Sequence, residues 1–336
     1  HIDMHMKLLD EETLLVGDFG NESDGPQIQA NIEYILSNTT TKWGTPWKIV
    51  WIPMVPSNGG NWPDGDFAEP YYRTFTNSIF INKTILVPTY REEYDTIGLR
   101  ILREAMPGYD VVGIDCDNSG ANIIGSGGAI HCITKAIGVD DPLLISHQEL
   151  PNTADVVNPY NVDALIMHRS GIASATLFYK VGMTGTYVPV AMINTSADNW
   201  SADIPAQSAG TKVFYYINAT SISGKNQVRP ITAPVGYFHF EVSESVGVTS
   251  AEISFGRVFP NPSAGLTCIE VKNTTSFSGT LSVYNVLGQE LEIIHSGFFS
   301  GHNRKYFIDV SDYSAGAYQV VLQSNSISQS MPLLVH

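Results

Sequence analysis

Positive charge is what this 336-residue chain has least of: 18 Lys and Arg stand against 33 Asp and Glu, for a net charge of -15. Following a phosphate backbone needs clustered Lys and Arg, so no nucleic-acid partner is expected; a cationic one fits better, although such an excess of acid more often serves plain solubility. Long apolar runs are missing as well. Nothing approaches the roughly 20 consecutive apolar residues that span a bilayer, so no membrane span is expected. The three cysteines, Cys116, Cys132 and Cys268, are too few and too scattered for a disulfide framework, and no C-x-x-C pair suggests zinc; the odd count leaves at least one free thiol. Gly125-Ser126-Gly127-Gly128 does not complete G-x-G-x-x-G, and G-x-S-x-G is absent, so neither dinucleotide binding nor a serine elbow is supported. The chain opens on His1 with no charged and apolar leader, which implies an upstream portion.

What is present falls into three textures, as a chain of this length predicts for two or three domains. From His1 to about Asp141, strand-like and helix-like stretches alternate, which favours an α/β architecture. Leu14 to Val16 reads as a strand, Ile28 to Leu36 as a helix with Ile28, Ile32, Ile35 and Leu36 on one face, and Trp47 to Ile52 as a strand. The pattern then recurs, with a hairpin over Ser78 to Ile81 and Thr84 to Val87 turning at Asn82-Lys83, a helix from Glu92 to Ala105 and a strand from Tyr109 to Ile114. Pro107-Gly108 marks the helix end.

Residues 142 to 242 read as all-β, with strands over Ala164 to Met167, Ala175 to Tyr179, Tyr187 to Met192, Val213 to Ala219 and Tyr237 to Val242 at sandwich-like spacing. No Cys…Trp…Cys pattern marks an antibody-type domain. Residues 243 to 254 are small and polar, as in a linker. Residues 255 to 336 are all-β again, with strands at Leu281 to Asn285 and Ala317 to Leu322 and with Gly288, Gly301 and Gly316 as turn or bulge positions. Each β-domain is expected to close a core of its own. Seven N-x-S/T sequons, such as Asn38-Thr39-Thr40 and Asn273-Thr274-Thr275, mark surface loops only in a host that glycosylates them, and mean little otherwise.

Two segments carry reactive side chains. His1-Ile2-Asp3 puts a base and a carboxylate two positions apart, on one face of an extended strand. Gly127-Gly128-Ala129-Ile130-His131-Cys132 puts a thiol after a glycine turn, where missing side chains let a substrate approach. A thiol with an ordinary pKa near 8.5 needs a base or a cationic substrate to react as thiolate at neutrality. The alternative is an ordinary surface His and Asp and a small buried Cys. His1 and His5 form an H-x-x-x-H spacing, but Ile2 stands where a zincin needs Glu, so no metal is assigned.

Taken together, His1-Ile2-Asp3, Tyr72-Arg73-Thr74-Phe75-Thr76-Asn77-Ser78, Ala105-Met106-Pro107-Gly108-Tyr109-Asp110 and Gly127 to Cys132 resemble the agmatine deiminase and bacterial peptidylarginine deiminase family. The likeness covers about residues 1 to 140. It implies part of a pentein-type α/β-propeller of five pseudo-repeats, with the earlier repeats and a further guanidinium-binding Asp lying upstream and the present chain inactive on its own. It also implies that Cys132 is the nucleophile, His1 the proton shuttle, Asp3 the group holding the substrate nitrogens and Asn77 a residue lining the site, with no metal or organic cofactor. Residues 142 to 242 look like the immunoglobulin-like domain of secreted peptidylarginine deiminases, through Trp200 to Pro205, Val213 to Ala219 and Ala233 to Phe240. Phe259-Pro260-Asn261-Pro262-Ser263-Ala264-Gly265, Val283 to Gln289 and Ser314-Ala315-Gly316-Ala317-Tyr318 resemble a type IX secretion sorting domain. Its last strand carries Pro332, which suits an edge.

The expected architecture is thus α/β plus all-β: residues 1–141 a partial propeller, 142–242 and 255–336 two β-sandwiches, with a linker at 243–254. The implied activity is a secreted or surface-attached, cysteine-dependent hydrolysis of peptidyl-arginine to citrulline and ammonia, with the secretion machinery as partner of residues 255–336. Because Ile130 to Thr134 is closer to agmatine deiminases, a small free guanidine is the alternative substrate. An inert surface-binding protein is another reading, and a Cys-His peptidase is a weaker one.

Overall fold

A computed structural model describes all residues except 21, 23, 64–70, 119–121, 127, 244–252, 274–276, 300–303 and 325–327. The linker expected at 243–254, Gly127, Gly301 and the Asn273-Thr274-Thr275 sequon lie wholly or partly outside them.

Two copies of one unit build the N-terminal part. Each opens with a single 3-10 turn, Ile2–Met4 in the first and Phe75–Asn77 in the second. A hairpin follows: β1 (Met6–Leu8) with β2 (Thr13–Asp18) in the first unit, β4 (Ile79–Ile81) with β5 (Thr84–Thr89) in the second. A helix then crosses over, α1 (Gly25–Asn38) or α2 (Glu92–Ala105), and delivers a strand parallel to the second hairpin strand, β3 (Lys48–Pro53) or β6 (Asp110–Asp115). The crossover is obligatory, since a tight turn cannot join parallel neighbours. Three-residue β1 is too short to show alternation, so the sequence displayed this unit only from β2 onward. Two more 3-10 turns, Ile124–Ser126 and His131–Ile133, follow the second unit.

The helix faces match the sequence pattern. Ile28 and Ile32 of α1 are buried with Leu14, Val16 and Trp51, while Ile97, Ile101 and Leu102 of α2 are buried with Phe75, Ile85 and Val87. Glu92, Glu93 and Asp95 in the first turn of α2 and Arg103 in its last complement the helix dipole. A Cβ on Gly98 would come within 2.7 Å of the Phe75 ring, so α2 presses directly on the turn that ends at Asn77. Gly108 has φ +83°, and a Cβ there would meet the backbone of Gly236 at 2.3 Å. The Pro-Gly pair therefore ends a helix and also admits the next domain.

That next domain holds two antiparallel sheets. In chain order its strands are β7 (Leu144–Ser146), β8 (Tyr160–Met167), β9 (Ile172–Val181), β10 (Val188–Ala191), β11 (Ile193–Ser196), β12 (Asn199–Ile204), β13 (Thr211–Ser221), β14 (Asn226–Arg229) and β15 (Phe238–Val242). One sheet runs β10-β9-β13-β14 with β15 also on β13, the other β11-β12-β8-β7. Val162, Ala164 and Ile166 of β8 pack into the same core as Leu177, Val213, Tyr215 and Ile217. The single strand read at Tyr187 to Met192 ends at Ala191, and Ile193 opens a strand of the other sheet, a switch that hydropathy cannot show.

A buried polar chain crosses this core. His147 is 4% exposed; its Nδ1–H donates to the Asp163 carbonyl at 2.6 Å, so Nε2 accepts from the Tyr215 hydroxyl at 2.9 Å. That hydroxyl in turn accepts the Leu150 N–H at 2.8 Å. Burial holds the His147 pKa below its ordinary 6.5. The unfolded chain therefore takes up this proton first as pH falls, so the contribution to stability is complete above about 6.5 and is lost progressively below it. We expect the melting temperature to decline from pH 7.5 to 5.5, with a slope that shrinks in His147→Gln. An unchanged slope in that variant would show that His147 binds its proton equally in the folded and unfolded states.

The C-terminal strands are β16 (Ile253–Phe259), β17 (Leu266–Asn273), β18 (Phe277–Asn285), β19 (Glu290–Phe299), β20 (Arg304–Asp309), β21 (Gly316–Ser324) and β22 (Ser328–Val335). They form sheets β16-β17-β20 and β19-β18-β21-β22. β16 begins two residues inside the stretch read as linker, and Gly316 opens a strand rather than making a turn, whereas Gly288 does turn, at φ +76°. Pro332 lies in β22, at the sheet edge.

This domain has a core around Ile269, Val271, Leu281, Val283, Val320 and Leu322. Contrary to the expectation of a self-contained module, Phe259, Leu266 and Cys268 turn the other way and share a core with α2 and β5. Strand period 2 explains it: the even positions of β17 face α2 and the odd ones face the domain's own sheet. Arg257 reaches Glu104 at 2.8 Å and Glu270 at 3.2 Å, and the Arg100 guanidinium lies 4.2 Å over the Phe259 ring. Among the described residues no helix is long and apolar enough to cross a membrane.

Candidate active site

Three of the four described 3-10 turns converge. The first supplies Asp3, the second Asn77 and the last Cys132. Thr76 of the second turn donates its hydroxyl to the Asp3 carbonyl at 2.9 Å, joining first to second. Asn77 joins second to last: its Oδ1 accepts the backbone N–H groups of Ala129 at 3.2 Å, His131 at 3.0 Å and Cys132 at 3.4 Å. Its amide nitrogen donates to Asp3 Oδ2 at 3.0 Å and Cys132 Sγ at 3.2 Å.

All four residues singled out in the sequence therefore meet. A donor atom of His1, a carboxylate oxygen of Asp3 and Cys132 Sγ lie within 4.8 Å of one another. The extended His-x-Asp strand is corrected, since Ile2–Met4 is a 3-10 turn, yet that turn still carries both side chains to the thiol. Asn77 is fully buried, and its polar atoms go to the protein itself rather than to open space. His5 belongs elsewhere: its ring packs edge-on to Tyr72 at 5.5 Å.

His131 carried no role in the sequence reading beyond its place before Cys132. Its Nδ1 lies 2.8 Å from Asp3 Oδ2, and because an ionised carboxylate only accepts, Nδ1 carries the proton. Burial alone would raise the Asp3 pKa, but the hydrogen bond and charge of His131 outweigh it and hold the carboxyl below its usual value. Asp3 is thus an anion at neutral pH, one-fifth exposed, at the edge of the site. Of the three cysteines only Cys132 is exposed, while burial pushes the Cys116 thiol up to about 11 and raises that of Cys268 further.

Gly128 matters by what it lacks. A Cβ there would stand 2.5 Å from Cys132 Sγ and 2.6 Å from its Cβ. Gly128→Ala should push the thiol off Asn77 and Asp3 and lower turnover by on the order of a hundredfold, the scale of an ångström-sized misplacement, with little change in melting temperature. Normal turnover in that variant would show that the loop can give way.

Residues 1–137 match the family described as Porphyromonas-type peptidyl-arginine deiminase, and residues 257–336 match the secretion system C-terminal sorting domain. Two proteins named after agmatine deiminase are similar in sequence. That of Lactococcus lactis is 33% identical over 72 residues, 21% of this chain and 18% of the relative. That of Vibrio parahaemolyticus is 25% identical over 150 residues, 41% and 40% of the two. A crystal structure of a Porphyromonas gingivalis protein named after arginine deiminase is 26% identical, over 39% of this chain and 36% of that one, with a TM-score of 0.33. The chain thus spans less than half the length of these relatives. Its residues 1–137 are thus similar to the Porphyromonas-type peptidyl-arginine deiminase family, and its C-terminal part is a type IX secretion sorting domain, which marks it for secretion or attachment to the cell surface.

Proposed function

We propose that the site hydrolyses the guanidino group of arginine in peptides, giving citrulline and ammonia. The observation that carries this is the meeting of a thiol, a carboxylate and an imidazole within 4.8 Å of one another at an exposed edge. The Asp3 carboxylate accepts two guanidinium N–H bonds, each charge-assisted and worth roughly 1.5 to 3 kcal/mol, and so fixes the carbon beside Cys132 Sγ. Sulfur attacks that carbon, and a proton from His1 leaves with the nitrogen as ammonia. The product of this half is an S-alkylthiouronium on Cys132. Water then adds as His1 takes its proton, the C–S bond breaks, and the ureido product departs.

Asn77 positions rather than contacts substrate, since it holds the loop by three backbone N–H groups and steadies the sulfur. Residues 1–141, with these two units, are the C-terminal part of a pentein-type propeller of five repeats. Residues 142–242 and 255–336 are β-sandwiches joined through 243–254. The sorting domain favours peptides as substrate, because it sends the enzyme among extracellular proteins. Ile130 to Thr134 favours a free guanidine such as agmatine as second reading. The test is ammonia release from an arginine peptide and from agmatine, on the protein encoded by the complete reading frame. Citrulline from the peptide is expected; turnover of agmatine alone would move the substrate to the second reading, and no ammonia from either would leave an inert domain.

A further inference from the structure

The donor set at the converging turns has a chemistry the deiminase reading does not use. An imidazole nitrogen, a carboxylate oxygen and a sulfur, all within 4.8 Å of one another, are three different ligand types suited to a borderline-soft divalent ion. Around a tetrahedral Zn2+, with bonds of about 2.0 to 2.3 Å, such atoms stand roughly 3.3 to 3.8 Å apart. The gap to be closed is about an ångström, and His1, exposed at the start of its turn, has the rotational freedom to close it. Two of the three ligands are already oriented by neighbours, as metal ligands usually are. His131 and Asn77 both donate to Asp3 Oδ2, at 2.8 and 3.0 Å, and Asn77 also donates to Cys132 Sγ at 3.2 Å.

We propose that His1, Asp3 and Cys132 form a reversible site for a divalent ion such as Zn2+, and that this ion and a guanidinium exclude each other. Three protein ligands leave the fourth position to water, which makes the site labile rather than structural. Binding deprotonates the thiol: the S–H proton passes to solvent as the S–Zn bond forms, so affinity rises with pH. The ion then covers the carboxylate that would hold the guanidinium and the sulfur that would attack it. This exclusion rests on the deiminase reading above, whereas ion binding does not.

The experiment titrates the tag-free chain with Co2+ and Zn2+. One ion per chain is expected, with a thiolate-to-cobalt charge-transfer absorption that disappears in Cys132→Ser. Zn2+ should shield Cys132, the exposed cysteine, from iodoacetamide, and EDTA should restore its reaction. Affinity should fall by at least about tenfold in Asp3→Asn and in His1→Gln. Absence of the absorption, its survival in Cys132→Ser, or alkylation at an unchanged rate would each overturn the site. Ammonia release from the protein of the complete reading frame separates the two claims. Inhibition that follows the absorption supports exclusion, and undiminished release with the ion bound overturns it. An ion site in a protein that releases no ammonia removes the deiminase reading and leaves the site standing.

Discussion

Replacing Cys132 by serine is expected to lower ammonia release by on the order of 10⁴-fold or more, the scale on which losing a covalent nucleophile is read in hydrolases. The hydroxyl keeps the size of the side chain and both neighbours, Asn77 and Asp3, so folding should be unaffected. What it lacks is a conjugate base populated near neutral pH. Neither of the other thiols can take over, because Cys116 and Cys268 are buried in the second unit and at the α2 interface. Since nucleophile, shuttle and carboxylate act as one unit, Asp3→Asn combined with Cys132→Ser should be scarcely worse than Cys132→Ser alone. The measurement is steady-state ammonia production by the protein of the complete reading frame. Undiminished turnover by the serine variant would remove the nucleophile assignment.

Asn77 should divide into two separable effects when replaced by alanine or by aspartate. Alanine leaves the N–H groups of Ala129, His131 and Cys132 without their acceptor, and a buried donor left unsatisfied costs about 1 to 3 kcal/mol. With three such groups the loop should reorganise, and both stability and activity should fall. Aspartate keeps an oxygen for those donors but replaces the amide that faces Asp3 at 3.0 Å with a second carboxylate. Like charges at that distance raise a carboxyl pKa and disfavour a neighbouring thiolate, so Asn77→Asp should fold yet turn over at least a hundredfold more slowly, with its activity profile displaced to higher pH. Asp3 itself is held low by His131, so its contribution to the native state is complete above its ordinary 3.8 and is lost only as pH falls through a still lower value. The two variants are compared by melting temperature and by pH-rate profile. Equal melting temperatures for alanine and aspartate would show that the loop does not depend on the Asn77 carbonyl oxygen.

Much of this could be read from the sequence, for identifiable reasons. α2 was legible from Glu92 to Ala105 because its apolar face, acidic first turn and Pro-Gly end agree with one another. The Asn82-Lys83 hairpin was legible because Asn tolerates the φ of 53° that it adopts there. The four site residues were found by motif, and they meet in space. Periodicity failed at the single 3-10 turns, which are too short to carry a period and yet hold each reacting group. The contacts of Asn77 to the loop could not be read, because a side chain that lines a cavity and one that staples a loop look alike in sequence. His131 was in view beside the cysteine, but nothing local says that it reaches back 128 residues to Asp3. The two-sided burial of β17 was hidden for a similar reason, since both of its faces are apolar and the partner of one lies far upstream.

The docking of the sorting domain on α2 bears on how such a protein matures. A protease cutting between Val242 and Ile253 severs the covalent connection, but the pieces remain joined by Phe259, Leu266 and Cys268 packed among Ile97, Ile101 and Leu102. The Arg257–Glu104 pair at their rim adds to the hold. A nicked molecule would thus travel as a two-chain complex under native conditions and separate only in denaturant. Release of the sorting domain would then be a dissociation, with an off-rate of its own, and the surface it uncovers on α2 would be new to the outside of the cell.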